Sequence, residues 1–276
     1  MSASRRSIRI GIVGAESTHA VAFARIFRRM PGFRVVAIWG ETPALARKAA
    51  REASIPRVVQ DPREMLGQVD ALLVVHRHPD PHVPAARPFV RRGVPVYIGK
   101  PFCRRPAEGR PFLGAVDSFG SVPLQRSFLS FQKGLPRLGR ILAGSVSGPC
   151  DLDSPYAGIW FYGIHLVEMA LAAFGPHIVR TEARRTPSGA LGVLHYRNGS
   201  VVALHFLKEG KAFSMAAAGT RGSLHREIRF DRSPYLSSAR RIARLFRTGK
   251  GPRDILKPVE VLSTIEKGLK RSRARG

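Results

Sequence analysis

Ile8-Arg9-Ile10-Gly11-Ile12-Val13-Gly14-Ala15-Glu16-Ser17-Thr18-His19 is the stretch whose reading decides the fold. Residues 8–13 form a short apolar run that ends at Gly14. Residues 18–30 then place Val21, Phe23, Ala24 and Phe27 at helical spacing, and Pro31-Gly32 stops them. Strand, glycine turn and helix in that order open a βαβ unit. Working outward, residues 33–38 read as a second strand. Thr42 then caps a helix that has Pro43 at its first position and runs to about residue 52. Residues 71–75 and 94–98 read as two more strands, with a helix from about Pro84 to Arg92 between them. These strands are continuous apolar runs rather than alternating ones, as expected of strands buried on both faces. They predict an α/β unit with a doubly wound parallel sheet.

After residue 120 the rhythm changes. Residues 122–128 and 141–147 read as strands, and residues 159–174 as an apolar helix stopped by Gly175-Pro176. Strand-like runs follow at 177–183, 190–196, 200–207 and 212–218, with Asn198-Gly199 as a hairpin turn between two of them. Two basic helices, 234–248 and 257–270, close the chain. This part predicts an α+β arrangement with an open, mainly antiparallel sheet. The division falls near residue 120, giving domains 1–120 and 121–276.

The chain has 276 residues, enough for a substantial core, and no apolar run long enough to span a membrane. Its formal charge is +27, from 46 basic and 19 acidic residues. The basic residues are spread along the chain and are densest in the last forty, from Arg240 to Arg275. No nucleic-acid motif and no interleaving of aromatic with basic residues accompanies them. The charge therefore supports only non-specific, salt-sensitive binding to nucleic acid, or a solvated face. Two cysteines, Cys103 and Cys150, make neither a disulfide framework nor a metal spacing, and a reducing cytoplasm is the simplest compartment. The start Ser4-Arg5-Arg6-Ser7-Ile8 is superficially like a twin-arginine signal, but Glu16 and His19 interrupt the apolar stretch behind it.

Five places carry chemistry. The turn Gly14-Ala15-Glu16-Ser17-Thr18-His19 sits where a dinucleotide fingerprint would, although Glu16 takes the second glycine's position. Ser17 and Thr18 either donate to a phosphate or cap the helix. At the end of strand two, Trp39-Gly40-Glu41 puts an acid one place later than the ribose-binding position, and Trp39 lies against an adenine or in the core. Gly99-Lys100-Pro101 follows the strand at 94–98. A lysine at that edge can hydrogen-bond a substrate oxygen, or be an ordinary surface residue. On helix 159–174, Phe161, His165 and Glu168 share one face, and Tyr162 neighbours His165. His165 is either an acid/base or a core histidine. His76-Arg77-His78-Pro79-Asp80-Pro81-His82 is better suited to cofactor or substrate contacts than to a metal.

In this order, the glycine turn, His82 opening a helix after the strand at 71–75, Lys-Pro after the strand at 94–98 and Gly-x-His on a later helix resemble the Gfo/Idh/MocA family. The resemblance implies an N-terminal Rossmann domain binding NAD or NADP and a smaller domain carrying the substrate side. The substrate, a sugar, cyclitol or related polyol, would lie between them. It implies hydride transfer between the nicotinamide and a secondary alcohol carbon. Lys100 would polarise the oxygen and His165 would exchange its proton, with Tyr162 as a possible third participant. Gly14 to His19, Trp39 to Glu41, His76, Arg77, His78, His82, Lys100 and Pro101 would contact the cofactor. A homo-oligomer through the outer face of the open sheet is also implied.

Four residues depart from the family pattern: Gly99 for Glu, Phe161 for Asp, Glu16 for Gly, and the displaced Glu41. They leave open a second reading, a non-catalytic Rossmann-type protein that binds a nucleotide or sugar for regulation.

Overall fold

The computed structural model describes residues 6–273. The start of the twin-arginine-like stretch at Ser4 and Arg5 and the basic end at Arg275 lie outside the described residues. In chain order the elements begin with β1 (Ile8–Val13), α1 (Thr18–Arg28), β2 (Phe33–Trp39), α2 (Pro43–Ala53), β3 (Arg57–Val58) and β4 (Ala71–Val74). Then come α3 (His82–Val90), β5 (Val96–Ile98), α4 (Pro106–Gly109), β6 (Val116–Asp117), α5 (Arg126–Gly134), β7 (Ile141–Pro149) and α6 (Ile159–Phe174). The last are β8 (Ile178–Thr186), β9 (Gly189–Tyr196), β10 (Val201–Leu207), β11 (Phe213–Gly219), β12 (Gly222–Ile228), α7 (Leu236–Thr248) and α8 (Lys257–Arg273).

They form two compact units. One contains the stretch ending at Phe119 together with Tyr235–Ile255; the other contains Gly120–Pro234 and the stretch from Leu256. In the first, six strands pair in the order β3-β2-β1-β4-β5-β6, all parallel. That is the doubly wound order of dinucleotide-binding folds, and ligands bind at the carboxyl ends of the strands where the order reverses. Here the reversal lies between β1 and β4. Ile10, Ile12, Val13 and Leu72–Val75 are wholly buried there, which explains their continuous apolar sequence.

The second unit has a six-stranded sheet in the order β12-β11-β7-β10-β9-β8. Only β7 and β10 pair in parallel. α6 and α8 cover one face, over Leu194, Val202, Leu204, Val146 and Met215. The other face shows the alternate residues. One row across all six strands reads Glu182, Val193, Ala203, Ser145, Ala216 and His225.

Three local readings need correction. Residues 122–128 are not a strand: a 3-10 turn at Val122–Leu124 leads into α5. Phe128 and Phe131, spaced for one face of a helix, are both buried. β12 was not foreseen, because its exposed, charged Gly222–Ile228 sequence is that of a protected edge strand. The helix expected from Pro84 begins at His82 and ends at Val90.

α7 belongs with the first unit rather than with residues 121–276. Its apolar stripe of Ala239, Ile242, Ala243 and Phe246 is buried, and Phe246 stacks on Phe27 at 5.9 Å. Arg241 makes two 2.8 Å hydrogen bonds to the buried carboxylate of Asp117. Burial holds the Asp117 carboxyl above its ordinary range even against this guanidinium. A raised folded-state value means that the folded chain binds this proton more tightly. The contribution of Asp117 to stability therefore falls as pH rises from the unfolded carboxylate value, about 3.9. Arg241→Ala leaves that carboxylate buried without its guanidinium. It is expected to cost about 2 kcal/mol at pH 7, below the range for a fully buried pair because Arg241 is 41% exposed. The loss should shrink near pH 4. Urea unfolding at both pH values checks this, and an equal loss at both contradicts it.

Candidate active site

At the switch point of the parallel sheet, Gly14 has φ +105°, and a Cβ there would lie 2.6 Å from the backbone nitrogen of His76. Both the left-handed backbone and the close approach of two strand ends require glycine. The turn behind it is anchored from β2. The Ala15 and Glu16 amides each donate to Oε2 of Glu41 at 2.9 Å. Oε1 of Glu41 is buried with no hydrogen-bond partner among the described residues. The displaced acid thus faces the glycine turn after all. Gly40 admits it by packing on Ala15, where a Cβ would meet the Ala15 Cβ at 2.6 Å.

Glu16 lines a groove of about 360 Å³ between α1 and α2, shared with Arg25 and Lys48. Ser17 is the N-cap of α1 and accepts from the His19 amide at 3.2 Å, with Thr18 as the first helical residue. The His19 ring packs edge-on against Tyr235 at 5.0 Å. Trp39 donates its indole N–H to the Gln60 carbonyl at 3.0 Å, and its ring lies 5.8 Å from that of His76.

His76 and His82 are both buried, and burial pushes each imidazole down to about 4, so both are neutral at pH 7. His82 Nδ1 lies 2.8 Å from the Pro101 carbonyl oxygen and Nε2 lies 3.1 Å from that of His76. Neutral, the ring has one N–H and donates to one of these two carbonyls, packed between the loop after β4 and the turn after β5. Arg77 and His78 are half-buried, and Asp80 pairs with Arg104 at 3.2 Å. Lys100, half-buried, follows Gly99, whose amide extends the ladder to Val74 at 2.7 Å. A Cβ at Gly99 would meet only ordinary contacts, so the backbone does not demand glycine there.

In the second unit, α6 carries His165 on its buried side. Gly163 lets that helix approach the sheet, since a Cβ there would meet Phe206 of β10 at 3.1 Å. Glu168, one turn beyond His165, accepts from the Gly120 amide at 2.8 Å through Oε1, and its Oε2 lies 3.4 Å from His165 Nδ1. Both side chains are about nine-tenths buried. A Cβ at Gly120 would come within 2.4 Å of Glu168 and 2.6 Å of His165. Sequence reasoning placed Glu168 on the right face without giving it a role; the i, i+3 spacing to His165 was the available signal. A carboxylate facing Nδ1 favours the tautomer with its proton there and leaves Nε2 as the base. Tyr162 lies 5.9 Å from His165, and Phe161 meets Tyr162 at 4.9 Å.

The pattern of the Gfo/Idh/MocA oxidoreductases, a family with an NAD-binding Rossmann fold, matches residues 8–122. Residues 8–122 are thus similar to the NAD-binding Rossmann domain of that family. Solved structures resemble the whole chain. GenD2 from gentamicin A biosynthesis, in complex with NAD, has a TM-score of 0.82 at 15% identity, with 99% of this chain and 96% of that one covered. A myo-inositol dehydrogenase from Corynebacterium glutamicum has a TM-score of 0.80 at 17% identity, covering 96% and 97%. The scyllo-inositol dehydrogenase from Lactobacillus casei has a TM-score of 0.81 at 13% identity, covering 98% of both chains. At these identities the likeness is one of fold. No curated protein matches the chain in sequence. No helix among the described residues is long and apolar enough to cross a membrane.

The crevice fits the dinucleotide of this family. Gly14 leaves the turn no side chain, and the buried Oε1 of Glu41 is an acceptor in need of a donor, which a ribose hydroxyl supplies. A ribose 2′-phosphate supplies none at neutral pH and would meet a carboxylate. NAD is therefore expected to bind at least about tenfold more tightly than NADP, the equivalent of about 1.4 kcal/mol. Glu41→Gln should narrow the ratio. Calorimetry with both cofactors checks this, and equal affinities in the unaltered chain contradict it.

Proposed function

We propose that this protein carries out NAD-dependent hydride transfer at a secondary alcohol or ketone carbon of a sugar, cyclitol or related polyol. The observation that carries the reading is the buried His165–Glu168 pair with its anchor on Gly120. The names of the inositol dehydrogenases of like fold support the substrate class. When bound, the nicotinamide supplies the group that gives or accepts hydride.

The chain's own residues handle the proton and the oxygen. In the oxidising direction, Nε2 of His165 takes the hydroxyl proton while Glu168 steadies the imidazolium that forms. The resemblance assigns Lys100 a hydrogen bond to the reacting oxygen, which would stabilise its developing negative charge. In the reducing direction both groups act in reverse. Glu168 takes up the orienting task that the resemblance gives to an acid at position 161. On the cofactor side, His82 packs against the Pro101 carbonyl and helps to hold the Lys100-Pro101 turn.

Lys100→Ala and His165→Ala are each expected to lower turnover by about 10²-fold or more, the range of general acid–base catalysis. The affinity for NAD should stay within about twofold. Glu168→Gln, which keeps shape and loses charge, should have a smaller effect on kcat and little on KM. NADH absorbance with calorimetric NAD binding checks all three. Unaltered rates for both alanine variants on a substrate that the unaltered chain turns over would show that neither residue has the assigned role.

We further infer that a second copy of the chain covers the open face of the β7–β12 sheet, whose central row holds small or apolar side chains at Val193, Ala203, Ser145 and Ala216. A monomer by light scattering at micromolar concentration contradicts this.

A further inference from the structure

A groove of about 470 Å³ lies between α5 and β12, wholly within the second unit. One wall is a single side of α5 and of the 3-10 turn Leu135–Leu138 that continues it. Arg126, Ser130, Lys133 and Arg137 follow one another there at steps of three or four residues. The opposite side of the same segment is buried through Phe128, Phe131, Leu135 and Leu138. The other wall is β12, where Leu224 and Arg226 alternate with His225 and so point to one face of the sheet. That is the helix-covered face, since their partners in β11 are Ala217 and the buried Met215. Gly134 lets the walls meet: a Cβ there would come within 2.7 Å of Leu224.

The lining holds four cations, Arg126, Lys133, Arg137 and Arg226, and no acid. Elsewhere Arg9, Arg57, Arg180 and Arg229 each have a carboxylate within hydrogen-bond distance. Among the described residues no acid forms an ion pair with any of the four side chains in the groove. The acids that come near are committed to other groups. Asp231 accepts the backbone amide of Arg126 at 3.3 Å through both oxygens. Glu227 alternates to the other face of β12 and holds Arg229 at 2.8 Å.

Like charges aligned on one helix side repel, and an anion between the walls relieves that repulsion. Guanidinium forks match phosphate oxygens in pairs, and lysine adds a point charge. Four cations around a space of small-molecule size call for several negative charges close together. Linked phosphate groups meet that demand. A track for single-stranded nucleic acid pairs its cations with aromatic platforms, and the lining has none.

We propose that this groove binds a small ligand carrying two or more linked phosphate groups. The groove makes no use of His165 or of the crevice at Gly14, so a failure of hydride transfer leaves it untouched.

The test is calorimetry of inorganic tripolyphosphate against the full chain. This probe has no nucleoside for the crevice of the first unit to hold. At about 150 mM salt, exposed charges more than about 8 Å apart are largely screened, so binding there requires the cations to converge. One equivalent is expected to bind, at least about tenfold more tightly than inorganic phosphate. Lys133→Gln and Arg137→Gln should each weaken it about fivefold. Arg91→Gln removes the same charge from an exposed place in the first unit and should change it by less than about twofold. Ser130→Glu adds an acid to the helix wall, removes no cation and should abolish binding. All four positions are exposed, so these variants keep the core intact. No binding at about 1 mM overturns the proposal. So does binding that Arg91→Gln weakens as much as Arg137→Gln, because that reports net charge alone. A DNA duplex of about 20 bp that displaces tripolyphosphate and binds more tightly would make the groove a contact for a nucleic-acid backbone, and would overturn it too.

Discussion

The carboxylate of Glu168 accepts from the Gly120 amide and sets its other oxygen 3.4 Å from Nδ1 of His165, and the proposed chemistry depends on that juxtaposition. An apolar helix face does not itself hold a histidine in the Nδ1–H tautomer or in one rotamer. Glu168 supplies both constraints because its own position is fixed by a backbone N–H rather than by another side chain. Gly120 makes this possible by having no side chain where the carboxylate and imidazole sit. Low exposure strengthens the interaction, since charge is poorly screened away from water.

The same device occurs in the parallel-sheet unit. Glu41 takes two backbone amides of the glycine turn on one oxygen and leaves the other buried and in need of a donor. In a chain with 46 basic and 19 acidic residues, acids are scarce, and these two are held by main-chain donors rather than by arginine. A guanidinium would satisfy a carboxylate from a mobile side chain; a backbone amide holds it at a position set by the fold. Where an arginine does hold a buried acid, at Asp117, the pair ties α7 to β6 and serves architecture.

Most of the fold was legible because its strongest signals are local. Continuous apolar strands, the Thr42-Pro43 helix start and the Asn198-Gly199 turn each follow from residue chemistry within a few positions. Residues 122–128 misled because an apolar run containing Pro123 reads as extended, while the period that marks α5, Phe128 to Phe131, begins only at its end. The edge strand β12 was hidden by the charges that protect an edge. The destination of α7 was not legible at all: an amphipathic helix states that it has an apolar face, not which unit receives it.

The site was legible to a similar degree. Gly14, Lys100 and His165 stand out by type and position. Glu41 and Glu168 do not, because their roles come from hydrogen bonds that span 25 and 48 residues. His82 was assigned to the cofactor; its ring lies between two carbonyl oxygens, and type and position do not tell a cofactor contact from an internal one.

The most direct measurement is the position of the His165 proton, read from imidazole nitrogen shifts by NMR and assigned with a His165 variant. In the neutral state the account requires the proton on Nδ1 and a bare Nε2, with that preference lost in Glu168→Ala. A proton resident on Nε2 in the unaltered protein would contradict it, because the nitrogen needed to accept a substrate proton would already hold one.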